Sequence, residues 1–250
     1  MTDEEILNKL IQYCDYYKIP REFLFDILED QKVVPMIRGK ATEYQVYTLL
    51  KSILNPHEWV VAKLNLNAQN GMHDEDVTIT HQRTGVIIKV ECKNATRGSM
   101  KIGTNRTKNT LYRGQSFCTI KCHKSRSDLS KADTTNDRYL VGDFDIVISN
   151  MSNAVIAGAT YSENFELIDN PDVISKLAEF YNCNTDYQSI FDAAFNDWRF
   201  AFAEDIAVDG VIPRTPYVLL ENDPVWKPIE NIADTLELFA RQRRQRGTRR

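Results

Sequence analysis

The chain has 250 residues, a formal net charge of −4, 42% hydrophobic and 26% charged residues, ordinary values for a folded protein able to bury a core as one domain or one domain with an appendage. No apolar run reaches the length of a membrane span, and Met1-Thr-Asp-Glu-Glu-Ile6 lacks the basic start of a secretory signal, so the reading is a cytoplasmic protein with no membrane partner. Five cysteines, an odd number without the spacing of a disulfide framework, fit a reducing compartment.

Thr2-x-x-Glu5 is a capping box that opens a helix carrying Ile6, Leu7, Leu10, Ile11, Cys14 and Tyr17 at helical spacing. Pro20 starts a second helix with Phe23, Leu24, Ile27 and Leu28, so residues 1–36 are expected to form an N-terminal helical hairpin. A third helix, about Gly39 to Leu54, places Glu43 on one stripe with Val46, Tyr47, Leu50 and Leu54. A carboxylate on a buried stripe is paired or bound to a metal. The alternative is an acid in the first helical turn that favours the macrodipole and reaches water. Gln45 is a second candidate to face the same cleft.

Val77-Thr-Ile-Thr80 and Val86-Ile-Ile-Lys-Val90 read as two strands joined by the turn His81-Gln-Arg-Thr-Gly85. If Gln82 to Gly85 form the loop, His81 faces Val86 and Asp76 faces Glu91. Opposed residues of an antiparallel pair share a face, and Lys93 joins it by the period-two rule. Two carboxylates are hard oxygen ligands for Mg²⁺, which takes one or two of them together with waters and substrate phosphate oxygens. A lysine beside such a cation holds or deprotonates an attacking water. His73-Asp-Glu-Asp76 offers three acids, and Asp76 is chosen because it immediately precedes the apolar alternation.

This spacing resembles the PD-(D/E)xK nuclease superfamily, the restriction-endonuclease-like proteins, in which an Asp opens one strand and Glu-x-Lys ends the next; the leading Pro is absent here. The resemblance implies Asp76, Glu91 and the backbone carbonyl of Cys92 as cation ligands, Lys93 to orient the water, and Glu43 as the acid many members carry on the preceding helix. Arg138-Tyr-Leu-Val-Gly-Asp-Phe-Asp-Ile-Val-Ile148 is similar to the stretch after the hairpin in several members, where a core strand begins Phe-Asp. The resemblance spans about Gly39 to Thr160.

After Lys93 the chain is rich in Gly, Asn, Thr and base. Between Lys89 and Arg138 seven Lys and five Arg stand against Glu91, Asp128, Asp133 and Asp137, a net +8 that leaves −12 on the remainder. A basic block around a candidate metal site is the footprint of a protein that receives a polyanion. Arg97, Lys101, Arg106, Lys108, Arg113, Lys124, Arg126 and Arg138 are the candidate DNA contacts there, joined by Arg214, with Thr215, in the proline-stiffened segment Val211–Pro216. Cys118-x-x-x-Cys122-His123 has no second ligand pair for zinc and reads as apolar filler. Phe117–Lys121, Asp143–Ser149 and Val155–Thr160 are further strands. Pro171 to Asn182, Tyr187 to Ala203 and Asn231 to Arg246 are helices, the second with Phe191, Phe195, Trp198 and Phe202 turned to the core, and the third a candidate dimer surface. Six Arg in residues 241–250 read equally as a solvated tail or a phosphate-binding arm.

These readings combine into an α/β (α+β) protein with a restriction-endonuclease-like central mixed β-sheet flanked by helices. The N-terminal helical hairpin covers 1–36, the catalytic core 37–160, and a mostly helical C-terminal region 161–250. The expected function is that of a Type II restriction endonuclease cutting double-stranded DNA at a specific sequence as a homodimer, with one or two Mg²⁺ per site and Mn²⁺ as a substitute. A repair or junction-resolving nuclease of the same superfamily and a catalytically idle DNA-binding module are the alternatives.

Overall fold

The computed structural model describes residues 1–63, 76–103, 112–124, 137–157 and 170–247, with side chains to residue 244. The chain divides into two compact units, Met1–Ala41 and Thr42–Arg250.

The first unit is helical. Helix α1, Asp3–Tyr17, starts at the expected capping box, with the Glu5 N–H on Thr2 Oγ1 at 3.2 Å and the Thr2 N–H on Glu5 Oε2 at 2.8 Å. It ends on Lys18, whose φ of 57° turns the chain out of the helix. A 3-10 turn at Arg21–Phe23 leads into the short helix α2, Leu24–Leu28. Helix α3, Val34–Ile53, begins five residues before the expected Gly39. Pro35 allows this, because the N–H it lacks has no partner in a first helical turn.

The second unit is a mixed α/β structure. Strands β1 (Trp59–Ala62), β2 (Val77–His81), β3 (Ile87–Cys92), β5 (Ile146–Asn150), β6 (Trp198–Phe202) and β8 (Lys227–Pro228) form a six-stranded sheet in the order β1-β2-β3-β5-β6-β8. Only β3 and β5 run parallel, so the sheet is mixed but mostly antiparallel. Strands β4 (Phe117–Thr119) and β7 (Tyr217–Leu219) form a second, two-stranded sheet. Among the described residues no helix is long and apolar enough to cross a membrane.

Alternation along the strands separates two cores. On one face Ile88, Val90, Ile146, Ile148 and Phe200 meet Val46 and Leu50 of α3 and Ile232, Leu236 and Ala240 of helix α8, Ile232–Gly247. On the other, Val147 and Ala201 pack with Leu177 and Ala178 of helix α5 (Pro171–Tyr181), Ile190 and Ala194 of helix α6 (Tyr187–Asn196), and Cys118 and Val218 of the small sheet. Glu91 pairs across the parallel ladder with Val147 and belongs to this second face.

Several expectations are corrected. Val155 closes a single helical turn, Ser152–Val155, rather than opening a strand, and residues 158–160 lie outside the described residues. The helix expected over Tyr187–Ala203 stops at Asn196. Trp198, Phe200 and Phe202 then turn to the α3 and α8 side, and Arg199 and Ala201 to the other, while β6 pairs with β5 along its length. The spacing of Phe191, Phe195, Trp198 and Phe202 satisfies a helical stripe, but ladder bonds to β5 satisfy the backbone of the second half. Region 161–250 also contributes strands β6 and β8, which complete the sheet begun in 37–160.

Phe200 is fully buried in β6. Phe200→Ala should destabilise the fold by about 3–5 kcal/mol in urea titration, while Leu238→Ala on the exposed side of α8 should stay within about 0.5 kcal/mol of wild type. A loss below about 1 kcal/mol for Phe200→Ala would remove β6 from the sheet interior.

Candidate active site

The β2–β3 hairpin has the register that the turn implies. The His81 N–H bonds Val86 O at 2.9 Å, the Gly85 N–H bonds His81 O at 2.8 Å, and Gly85 takes a φ of 69°, which a side chain would strain. Pairing runs from Thr80↔Ile87 to Val77↔Val90, and the next rung sets Asp76 opposite Glu91. The imidazole of the fully buried His81 ties the turn down, Nδ1 lying 2.7 Å from Thr84 Oγ1.

At the open end of the hairpin, away from that turn, backbone and side-chain donors meet the carboxylates of Asp76 and Glu91. Asp76 Oδ2 accepts the Cys92 N–H at 2.8 Å. Glu91 Oε1 receives the Tyr139 hydroxyl at 2.7 Å and the Lys93 ammonium at 2.5 Å, and Lys93 Nζ also donates to the Tyr139 oxygen at 3.1 Å. Glu43, buried on α3, forms an ion pair with Lys63, whose ammonium lies 3.4 Å from the Asp76 carbonyl oxygen. Thr42 Oγ1, beside Glu43, bonds Asn94 Oδ1 at 2.8 Å and so ties α3 to the segment leaving β3. The structure thus brings Asp76, Glu91, Lys93 and Glu43 into one neighbourhood, while Gln45 is half-buried on α3.

Burial first, then the Glu91 carboxylate, raises the Asp76 carboxyl to about 7, with Glu43 adding and the Cys92 N–H and Lys93 opposing. Burial pulls the Lys93 ammonium down, but Glu91 and then Tyr139 more than offset it and leave it raised. Lys93 is therefore held charged, a donor rather than a base. The Tyr139 hydroxyl is raised by burial and by Glu91 and keeps its proton. Burial, followed by Asp76 and Glu91, pushes the Cys92 thiol far up, so at Cys92 the backbone rather than the sulfur is available to the site.

Lys63 and Tyr139 were not singled out by the sequence. Lys63 follows the apolar strand Trp59–Ala62, which itself went unread, and Tyr139 lies 48 residues from the Glu91 it contacts. Among the described residues no three His, Cys, Asp or Glu side chains gather as a metal cage. The donor set is the opposed pair Asp76 and Glu91, with Glu43 behind Lys63, and two carboxylates match what Mg²⁺ takes from proteins.

The candidate DNA contacts divide. Lys124 lies 5.4 Å over the Tyr139 ring and pairs with Asp143 at 2.9 Å. The neighbouring Cys122 N–H bonds Arg214 O, and Arg214 pairs with Asp137 at 2.6 Å while its guanidinium stays half in water. Lys101 and Arg113 are exposed. Arg97 is turned to structure, donating to Ala157 O at 3.2 Å, and Arg138 is half-buried with its Nε unbonded among the described residues. Arg106, Lys108 and Arg126 lie outside the described residues, as do Asp74 and Glu75. Cys118 and Cys122 are fully buried in the second core, where burial raises each thiol to about 12. The C-terminal arginines do not begin as a frayed tail: α8 continues to Gly247, Arg241 pairs with Glu237 at 2.9 Å, and Arg243 pairs with Asp145 at 2.6 Å.

No family model, no curated protein and no solved structure matches the chain.

The Asp76 carboxyl has a folded-state value near 7 and an ordinary value of 3.8, so the folded chain holds its proton where the unfolded chain releases it. Stability from this group is therefore full below pH 3.8 and is lost as pH rises towards 7. In chelator-treated protein Asp76→Asn should be more stable than wild type at pH 8, on the order of 2 kcal/mol, with the gain shrinking towards pH 4. Equal urea midpoints at pH 8 would show that Asp76 carries no such penalty.

Proposed function

We propose that this protein is a divalent-cation-dependent endodeoxyribonuclease of the restriction type, hydrolysing phosphodiester bonds of double-stranded DNA at a specific sequence. The observation that carries the reading is the hairpin rung that sets Asp76 opposite Glu91, with the Cys92 peptide bonded to Asp76 and Lys93 on Glu91. The proposed fold is restriction-endonuclease-like. In its favour are the helix with buried Glu43, the antiparallel β2–β3 hairpin that follows, and the parallel addition of β5 to β3.

Asp76, Glu91 and the Cys92 carbonyl would hold Mg²⁺, or Mn²⁺ in its place. The cation, when bound, supplies Lewis-acid charge that offsets the negative charge growing on the phosphoryl oxygens. Lys93, kept protonated by Glu91, donates to the attacking water and orients its lone pair towards phosphorus. Lys63 neutralises Glu43 and so keeps a third buried carboxylate from repelling the DNA phosphate. The +8 segment around the site supplies long-range attraction for the polyanion, with Lys124 over the Tyr139 ring, and Arg214, outside that segment, adds a cation paired with Asp137. A two-fold homodimer would present one such site to each strand of a symmetric sequence. Its five free cysteines suit a reducing cytoplasm.

Incubating a long unmodified DNA with the protein should yield discrete fragments with Mg²⁺ and none with chelator. Asp76→Ala, Glu91→Ala and Lys93→Ala should each slow cleavage at least about a hundredfold without loss of fold. Full activity in any of them removes that residue from the site. Cutting confined to branched or mismatched DNA would assign the protein to repair, and binding without cutting would make it an idle module.

A further inference from the structure

Tyr139 enters the site from outside the hairpin. Its backbone carbonyl accepts the Ile212 N–H at 2.9 Å, and its ring stands edge-on to Phe144 with centroids 5.2 Å apart. Both anchors belong to segments other than β2 and β3, so the hydroxyl is placed independently of the strand whose carboxylate it meets. From there it donates its proton to Glu91 Oε1 and accepts from Lys93 Nζ, and the Lys93 ammonium also lies 5.0 Å over the ring. Lys124 occupies the same ring at 5.4 Å and is tethered by Asp143.

Both contacts that the described residues make to the Glu91 carboxylate fall on Oε1. Two donors on one oxygen fix the carboxylate plane and leave Oε2 as the oxygen for a ligand. We infer that Tyr139 is a positioning residue of this site, holding Glu91 and Lys93 against each other so that Glu91 offers Oε2 to a divalent cation while Lys93 stays beside it. The inference rests on the nuclease reading. It assigns the ordering of the ligand to a side chain that touches neither cation nor DNA, the usual place of an outer partner in a metal site.

Tyr139→Phe tests it, because the substitution removes the hydroxyl and keeps the ring. Mn²⁺ is titrated by calorimetry into the full chain, and cleavage is measured against Mg²⁺ and against DNA. Tyr139→Phe should weaken Mn²⁺ binding and raise the half-saturating Mg²⁺ about tenfold or more, with a lower kcat and little change in KM for DNA. Tyr112→Phe, a hydroxyl lost from a tyrosine stacked on Tyr217, should leave cation affinity unchanged. Wild-type cation affinity in Tyr139→Phe, in a protein that still cuts DNA, overturns the inference and spares the nuclease reading. A fall in melting temperature of more than about 10 °C assigns the hydroxyl a structural role and overturns it too. If wild type neither binds Mn²⁺ nor cuts DNA, the nuclease reading fails and takes this inference with it.

Discussion

The register of the β2–β3 hairpin is the constraint on which the rest depends. Side chains alternate along a strand, so a slip of one residue would exchange the two faces of β3. Glu91 and Lys93 would then press into the core of Val46, Leu50 and Leu236, and Val90 and Cys92 would take their places beside Tyr139. Three features hold the register against that slip. The turn closes with Gly85 at a φ of 69°, His81 is buried with its ring on Thr84 and 4.6 Å from Trp59, and Val77, Ile79, Ile88 and Val90 fill one core together. The turn-side half of β3 is fastened separately. Asp145 accepts the Lys89 N–H at 2.8 Å with one oxygen and Arg243 of α8 at 2.6 Å with the other, so the acid that opens the β5 segment is a clamp on the sheet. The structural carboxylate Asp145 thus bonds β3 at Lys89, two residues before Glu91 of the candidate site.

That geometry is costly in electrostatic terms. Placing Asp76 opposite Glu91 in a half-buried setting desolvates two like charges side by side, and the compensation is uneven. Glu91 has an ammonium and a hydroxyl on one oxygen, and Glu43 has Lys63, whereas Asp76 has the Cys92 N–H as its near donor. The imbalance bears on Asp76, whose carboxyl is driven up by burial and by Glu91. Natural proteins tolerate such local destabilisation where a function uses it and supply stability from well-packed elements elsewhere. Here α3 and α8 bury Val46, Leu50, Ile232, Leu236 and Ala240 completely against the other side of the sheet.

What could be read from the sequence is what local periodicity determines. The Thr2–Glu5 capping box, the hairpin rung and the buried stripe of Glu43 each depend on residues within about one turn or one hairpin of one another, and each is present. Strand β6 was missed because Phe191, Phe195, Trp198 and Phe202 fit a helical stripe as well as Trp198, Phe200 and Phe202 fit a strand face. Only pairing with β5, about fifty positions away, decides between them. Trp59–Ala62 is too short a run to announce itself without β2 beside it. The partners of the site residues were beyond reach for the same reason. Glu43 was legible as a buried acid needing compensation, but that Lys63 supplies it follows from β1 lying next to β2, and Tyr139 reaches Glu91 only through the parallel placement of β5.

The arrangement has a charge count that bears on the proposed reaction. With all groups ionised, Glu43, Asp76 and Glu91 against Lys63 and Lys93 leave one negative charge, and the raised Asp76 carboxyl can remove even that by keeping its proton. The two lysines therefore bring the cation-free pocket close to neutrality, so that the carboxylates can be desolvated without unfolding the site. A dication entering that pocket, with Asp76 ionised, would leave one net positive charge, and a single phosphodiester would restore neutrality. On the proposed reading the site would then accept a cation and a phosphate together better than either alone. That coupling follows from Lys63 and Lys93 being present with the three acids: with either lysine removed, the cation would reach neutrality on its own and the attraction for phosphate would weaken.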